Sequence, residues 1–160
     1  PIRAFYANIL FIKDYYENQW FPYTMPASDI MGLMVAIDNY LEDADFQNRH
    51  EQLAKATRAA VEKAGLKLYL ESGYSNNVTV IEIPEGITED EILSGLRDEF
   101  GILISGCFDV LKGKVVRIGH MGENANKEDL AQTLEALQKV LEARGIKLTC
   151  NMRDEFLLAC

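Results

Sequence analysis

Arg117 lies in the run Val115-Val116-Arg117-Ile118-Gly119-His120-Met121-Gly122, an arginine set inside an apolar strand-like stretch with glycines just beyond it. Burying a guanidinium is costly unless its five donors meet an anion, and glycine lets backbone or a ligand come close. The residues alone leave three readings open: a carboxylate or phosphate ligand, an internal salt bridge, or an arginine that snorkels to the surface. The remaining chemistry-bearing residues form no constellation. His50 falls on a predicted helix and His120 in a glycine-flanked turn, far apart in sequence, so a solvated His50 and a hydrogen-bonded His120 are expected in place of a metal pair or a triad. Cys107, Cys150 and Cys160 have no CxxC or Cys/His ligand spacing and read as free thiols. Cys107, without a His or Asn partner pattern, reads as a packed thiol and not a nucleophile. No GxGxxG, GxxxxGK[ST], HExxH or GxSxG motif occurs, and no metal site is expected.

Several elements must position that arginine. Ile30, Leu33, Met34, Ile37 and Leu41 recur at helical spacing from Ser28 onward. After the acidic turn Glu42-Asp43-Ala44-Asp45 a second helix is predicted, with Leu53, Thr57, Ala60, Val61 and Ala64 inward and Gly65 as its stop. The period then switches to two. Leu66, Leu68 and Leu70 alternate with Lys67 and Tyr69, and Val78–Ile83 follows the turn Ser72–Asn77 as a second strand. Asn77-Val78-Thr79 matches a glycosylation sequon but reads as a loop-to-strand junction. Thr88 and Glu91 form a capping-box pattern, with Ile87 placed to staple onto Ile92, for a helix running to Phe100 and stopping at Gly101. Ile102–Ile104 and Lys114–Ile118 read as two further strands. A last helix begins at Asn126, buries Leu130, Leu134, Leu137 and Leu141, and ends at Gly145. This order predicts an α+β sandwich, a small mixed sheet covered by helices. Residues 1–26 form an arm rich in aromatics (Phe5, Tyr6, Phe11, Tyr15, Tyr16, Trp20, Phe21, Tyr23), too apolar for a free linker and expected to pack on something.

Bulk properties narrow the classes. The chain has 160 residues, 48% hydrophobic and 26% charged, as an ordinary single globular domain does. Its 16 basic residues against 25 acidic ones give a net charge of −9, which repels nucleic acid and anionic lipid. Neither partner is expected. Apolar stretches break before the roughly 20 residues of a membrane helix, and Pro1–Tyr16 lacks a signal-peptide cleavage pattern, so the expected location is the cytoplasm. A first residue of proline fits a processed start or a piece of something longer.

Val116-Arg117-Ile118-Gly119-His120-Met121-Gly122 resembles the C-terminal signature of class V pyridoxal-phosphate (PLP) aminotransferases, the alanine–glyoxylate and serine–pyruvate group. Pro22-Tyr23-Thr24-Met25-Pro26 resembles that family's Tyr-Thr-Pro-Pro segment. Asn48-Arg49-His50, Ile83-Pro84-Glu85-Gly86 and Gly101-Ile102-Leu103-Ile104-Ser105-Gly106 fall where the family has similar residues. The spacing agrees from about residue 3 to residue 148, leaving 149–160 as an unassigned tail.

The resemblance implies the C-terminal small domain of a fold-type I PLP enzyme, with residues 1–26 as an arm from the end of the large domain and 27–148 as the domain itself. It implies amino transfer from an alanine- or serine-like donor to a glyoxylate- or pyruvate-like 2-oxo acid, in a homodimer. In that family the Schiff-base lysine belongs to a large N-terminal domain, which would lie upstream of Pro1. No lysine here has a Ser-Gly-Ser-Gln-Lys-like setting, so no catalytic residue is assigned and the isolated chain is expected to be inactive. Arg117 matches the arginine that holds the substrate α-carboxylate. Thr24 matches a threonine reaching across the dimer to the PLP phosphate of the neighbouring subunit; by itself it reads as a strand or N-cap hydroxyl next to Pro26. Phe21 stands where some members have tyrosine. Cys107, followed by Phe108 and Asp109, stands where many have a second glycine, which leaves the amino donor open. Two other readings compete: a stand-alone, non-enzymatic α+β domain docking through its aromatic arm, and a class V lyase of the cysteine desulfurase kind. Arg117–Gly122 favours the aminotransferase branch over the lyases.

Overall fold

The computed structural model describes residues 5–21 and 23–160; residues 1–4 of the arm, Pro22 and the side chains of Phe11 and Asp14 lie outside the described residues. The chain divides between Ala44 and Asp45 into two compact units. The first carries helices α1 (Phe11–Asn18) and α2 (Ala27–Glu42). Its rings meet edge to face, with Phe5–Tyr23, Tyr15–Phe21 and Phe21–Tyr23 centroids 5.6–5.7 Å apart, while Tyr6 and Tyr23 stack. The helical spacing of Ile30, Leu33, Met34, Ile37 and Leu41 does produce α2, yet all five are exposed, as are Phe5, Trp20 and Phe21. These side chains form an apolar surface instead of a core.

The second unit contains α3 (Phe46–Lys63), β1 (Val78–Glu82), α4 (Glu89–Phe100), β2 (Val115–Gly119), α5 (Lys127–Ala143) and α6 (Met152–Ala159). Helix α4 starts as its sequence dictates. The Thr88 side chain accepts the Glu91 N–H, the Glu91 carboxylate accepts the Thr88 N–H at 2.9 Å, and Ile87 and Ile92 are both buried. It ends at Gly101, whose φ of 67° is the left-handed cap that a residue with a Cβ resists. Asn126 caps α5 by accepting the Asp129 N–H at 2.8 Å. At Gly95 the two helices approach so closely that a Cβ would sit 2.9 Å from Val140.

The expected sheet is present and helix-covered, but its ladder is narrower than the alternation suggests. β1 and β2 pair antiparallel, with Val80 opposite Arg117 and Thr79 opposite Ile118. Residues 66–70 touch this pair through one antiparallel bridge, Leu68 to Ile81, because Leu66 and Leu68 are buried whereas Leu70 already turns out to solvent. Residues 102–104 run extended with Leu103 79% exposed, and pairing begins only at the antiparallel Ser105–Arg117 bridge. The four predicted strands therefore lie side by side, but only the central two hold a continuous ladder, and every pairing is antiparallel.

Strand alternation sends Val116 and Ile118 into the core with Ile81, and Arg117 to the opposite face with Val80. The core cluster draws on α3, α4, α5 and the sheet, and also on the tail. Asn151 caps α6 by accepting the Asp154 N–H at 3.0 Å, and Met152 and Phe156 are fully buried where α6 packs on α3 and α5.

Candidate functional site

β2 fixes Arg117 from both sides, through its pairing with Val80 and through backbone hydrogen bonds with Ser105 of 2.7 and 3.2 Å. Its half-buried side chain folds back over the loop that follows Ser105, and Nε donates to the Gly106 carbonyl at 2.7 Å. The guanidinium lies over the Phe108 ring, 6.0 Å from its centroid, as a cation approaches an aromatic face. Among the described residues no carboxylate pairs with Arg117, and neither terminal amine has a hydrogen-bond partner. Of the three readings open from sequence, the internal salt bridge is thus not found among those residues. What the strand presents on its outer face is a half-buried cation, oriented through one nitrogen, with a two-pronged edge left over.

The loop beyond it is compact. Phe108 and Val110 are exposed, Asp109 takes a left-handed φ of 52°, and Leu111, Lys112 and Lys114 close local turns. Cys107 is a half-buried free thiol. Gly113 has φ of 74°, and its N–H donates to the Glu89 carboxylate at 2.5 Å. Nothing local in the sequence marks Glu89, which reads as an ordinary acid in the first turn of a helix; its partner lies 24 residues away. The one available signal is the Lys112-Gly113-Lys114 turn, which needs a left-handed residue.

His120 closes the C-terminal end of β2. It is fully buried, its Nδ1 donates to the Asn76 carbonyl at 3.0 Å, and its Nε2 accepts the Thr79 hydroxyl at 2.9 Å. Burial holds its pKa below the ordinary histidine value, assisted by the positive charge of nearby Arg58, which favours the neutral ring that this hydrogen-bond pattern calls for. His50 sits half-buried on α3 with Nδ1 2.6 Å from the Phe46 carbonyl, less solvated than expected.

Thr24 belongs to the first unit. It is exposed, stands in the extended segment before α2, and makes no cap: the N-cap is Pro26, without a side-chain hydrogen bond. Neighbouring Tyr23 donates its hydroxyl to the Phe5 carbonyl at 3.3 Å. The structure describes Thr24 and Arg117 each within its own unit. All nine lysines are exposed, and Lys13, Lys55, Lys63, Lys67 and Lys139 pair with glutamates. None stands in the desolvated setting that keeps a Schiff-base amine neutral. Among the described residues no helix is long and apolar enough to cross a membrane.

No protein-family model matches the chain. An uncharacterised aminotransferase of Methanocaldococcus jannaschii is 38% identical over 149 residues, covering 91% of this chain and 38% of the relative. The pyridoxamine–pyruvate transaminase of Mesorhizobium japonicum is 35% identical over 162 residues, covering 96% of this chain and 41% of that protein. The crystal structure of a ureidoglycine–glyoxylate aminotransferase from Bacillus subtilis superposes with a TM-score of 0.84 at 28% identity, covering 99% of this chain and 42% of that one. The chain thus spans about two fifths of the length of the curated relatives it matches. Its relatives are class V aminotransferases of the alanine/serine–glyoxylate type, and the share of them that it spans is consistent with their C-terminal domain.

Proposed function

We propose that this chain supplies the substrate-carboxylate clamp of a PLP-dependent aminotransferase that moves an amino group between an alanine- or serine-like amino acid and a glyoxylate- or pyruvate-like 2-oxo acid. The observation that carries the reading is Arg117: half-buried, tethered through Nε, and with both terminal amines unengaged by the described residues. A planar fork of that kind makes two parallel hydrogen bonds to a carboxylate and fixes the substrate's rotation about its Cα. Holding that rotation keeps one Cα–H bond in the orientation the reaction needs, while the Phe108 ring screens one side of the guanidinium from water. PLP, when bound, supplies the electron sink that allows an amino acid to lose its α-proton. Its lysine would come from a domain other than this one, and this chain alone would be inactive. The exposed Thr24 hydroxyl is the group offered to the cofactor phosphate of a neighbouring subunit in a homodimer, in the cytoplasm.

The test is a half-reaction. Cofactor-loaded enzyme carrying this chain, mixed with L-alanine or L-serine, should convert its cofactor to the amine form and release the matching 2-oxo acid, and glyoxylate or pyruvate should reverse the change. Turnover of L-serine to pyruvate and free ammonia with the cofactor never reaching its amine form, or of L-cysteine to alanine with loss of its sulfur, would place the protein among the lyases.

A further inference from the structure

One carboxylate joins both ends of the loop that orients Arg117. Glu89 sits in the first turn of α4, half-buried, with Oε2 accepting the Gly113 N–H at 2.5 Å. Its other oxygen occupies the space above Gly106: a Cβ built on that glycine would fall 1.4 Å from Oε1. Gly106 is the residue whose carbonyl holds Arg117 Nε. Among the described residues, the loop 106–113 otherwise makes only its own turn hydrogen bonds, and Phe108 and Val110 leave it for solvent without entering the core. Its placement against α4 therefore depends on the Glu89 contact.

We propose that Glu89 is a positioning residue: by tying Gly106 and Gly113 together it sets the direction of the Gly106 carbonyl, and through it the edge of Arg117 that meets a substrate carboxylate. This rests on the reading of Arg117 given above. The geometry makes it specific. With Nε occupied, a two-pronged contact can use only the edge formed by the two terminal amines, and the direction of that edge turns with the Gly106 peptide. A favourable charge at the start of a helix would also place an acid at position 89. That role, however, needs neither the Gly113 hydrogen bond nor a missing Cβ on Gly106. It would also be lost in Glu89→Gln, which keeps an oxygen acceptor.

The experiment measures hydrogen exchange of the Arg117 Nε–H by NMR in this chain, and KM and kcat for L-alanine in the cofactor-loaded enzyme that carries it. Glu89→Ala should accelerate that exchange and raise KM by roughly 10- to 100-fold, with kcat changed by less than about twofold. Glu89→Gln should stay near wild type in both. Gly106→Ala, whose methyl must expel the carboxylate, should reproduce Glu89→Ala, and it decides the matter if the latter loses its folded spectrum. Unchanged exchange and KM in Glu89→Ala or Gly106→Ala would overturn the proposal, as would Glu89→Gln behaving like Glu89→Ala. An Arg117→Lys enzyme with wild-type KM would instead overturn the carboxylate reading, whereas the exchange measurement reports on Glu89 without any substrate.

Discussion

The Thr79 hydroxyl lies 2.9 Å from Nε2 of His120 inside the core, so that an imidazole and a strand hydroxyl close a hydrogen-bond chain ending on the Asn76 carbonyl. Nε2 accepts in this chain, so a proton there would face a donor that has to turn around, in a site already stripped of water. The consequence is a pH dependence of stability. The folded pKa is depressed, chiefly by burial, so the unfolded chain binds the extra proton first as pH falls. The stabilisation is complete above the ordinary value of 6.5 and is lost as pH drops from there through the folded pKa. The carboxylates with depressed pKa values, Glu51, Glu91, Glu135 and Asp98, start from 4.5 or below and act at lower pH. Thermal unfolding between about pH 6.5 and 5 should show a declining Tm that flattens in His120→Gln. A wild-type Tm independent of pH over that window would contradict the assignment.

The tail is a structural element. Phe156 is fully buried where α6 packs on α3 and α5, so Phe156→Ala leaves a cavity in the main core. The expected cost is about 3–5 kcal/mol, a large part of the stability of a domain this size. Chemical denaturation should show the midpoint falling with an unchanged slope. A change below about 1 kcal/mol would mean that α6 is detachable.

Incubation of this chain with PLP and borohydride should give no stoichiometric adduct on a single lysine. The ammonium of Lys63 is held above its ordinary pKa by Glu155, and the other lysines are exposed, so only a small unprotonated fraction spread over several lysines should react, weakly and diffusely. Peptide mapping that placed one full equivalent on one residue would contradict the absence of a Schiff-base lysine here.

Much of the fold is legible wherever local signals decide it. The Thr88–Glu91 capping box, the Asn126 cap and the inward leucines of α5 act within a few residues, and each stands where the sequence puts it. Strand pairing is decided elsewhere. Ile102–Ile104 alternates as a strand should, yet whether it forms a ladder depends on how the backbone of β2 runs beside it, and contact begins only at Ser105. The role of residues 149–160 was illegible because Met152 and Phe156 find their cavity between helices about 90 and 15 residues earlier, a long-range complementarity with no local pattern. The helical spacing on α2 does predict a helix, but says nothing of what covers its apolar face. Within the candidate site the embedded arginine was visible from its apolar neighbours. The Gly106 carbonyl and Glu89 were not, because a backbone acceptor carries no residue signature.

If Arg117 holds the substrate carboxylate through its fork, as proposed, Arg117→Lys measured for half-reaction kinetics and thermal unfolding on the same preparation should show it without intermediaries. Lysine keeps the charge and loses the paired donors. Truncating one side of a buried, hydrogen-bonded charge pair costs about 2–5 kcal/mol, so kcat/KM for the amino acid should fall roughly 30- to several-thousand-fold while Tm stays close to wild type. A lowered Tm with unchanged amino-acid kinetics in the folded fraction would contradict the account and leave Arg117 as a structural residue of the sheet.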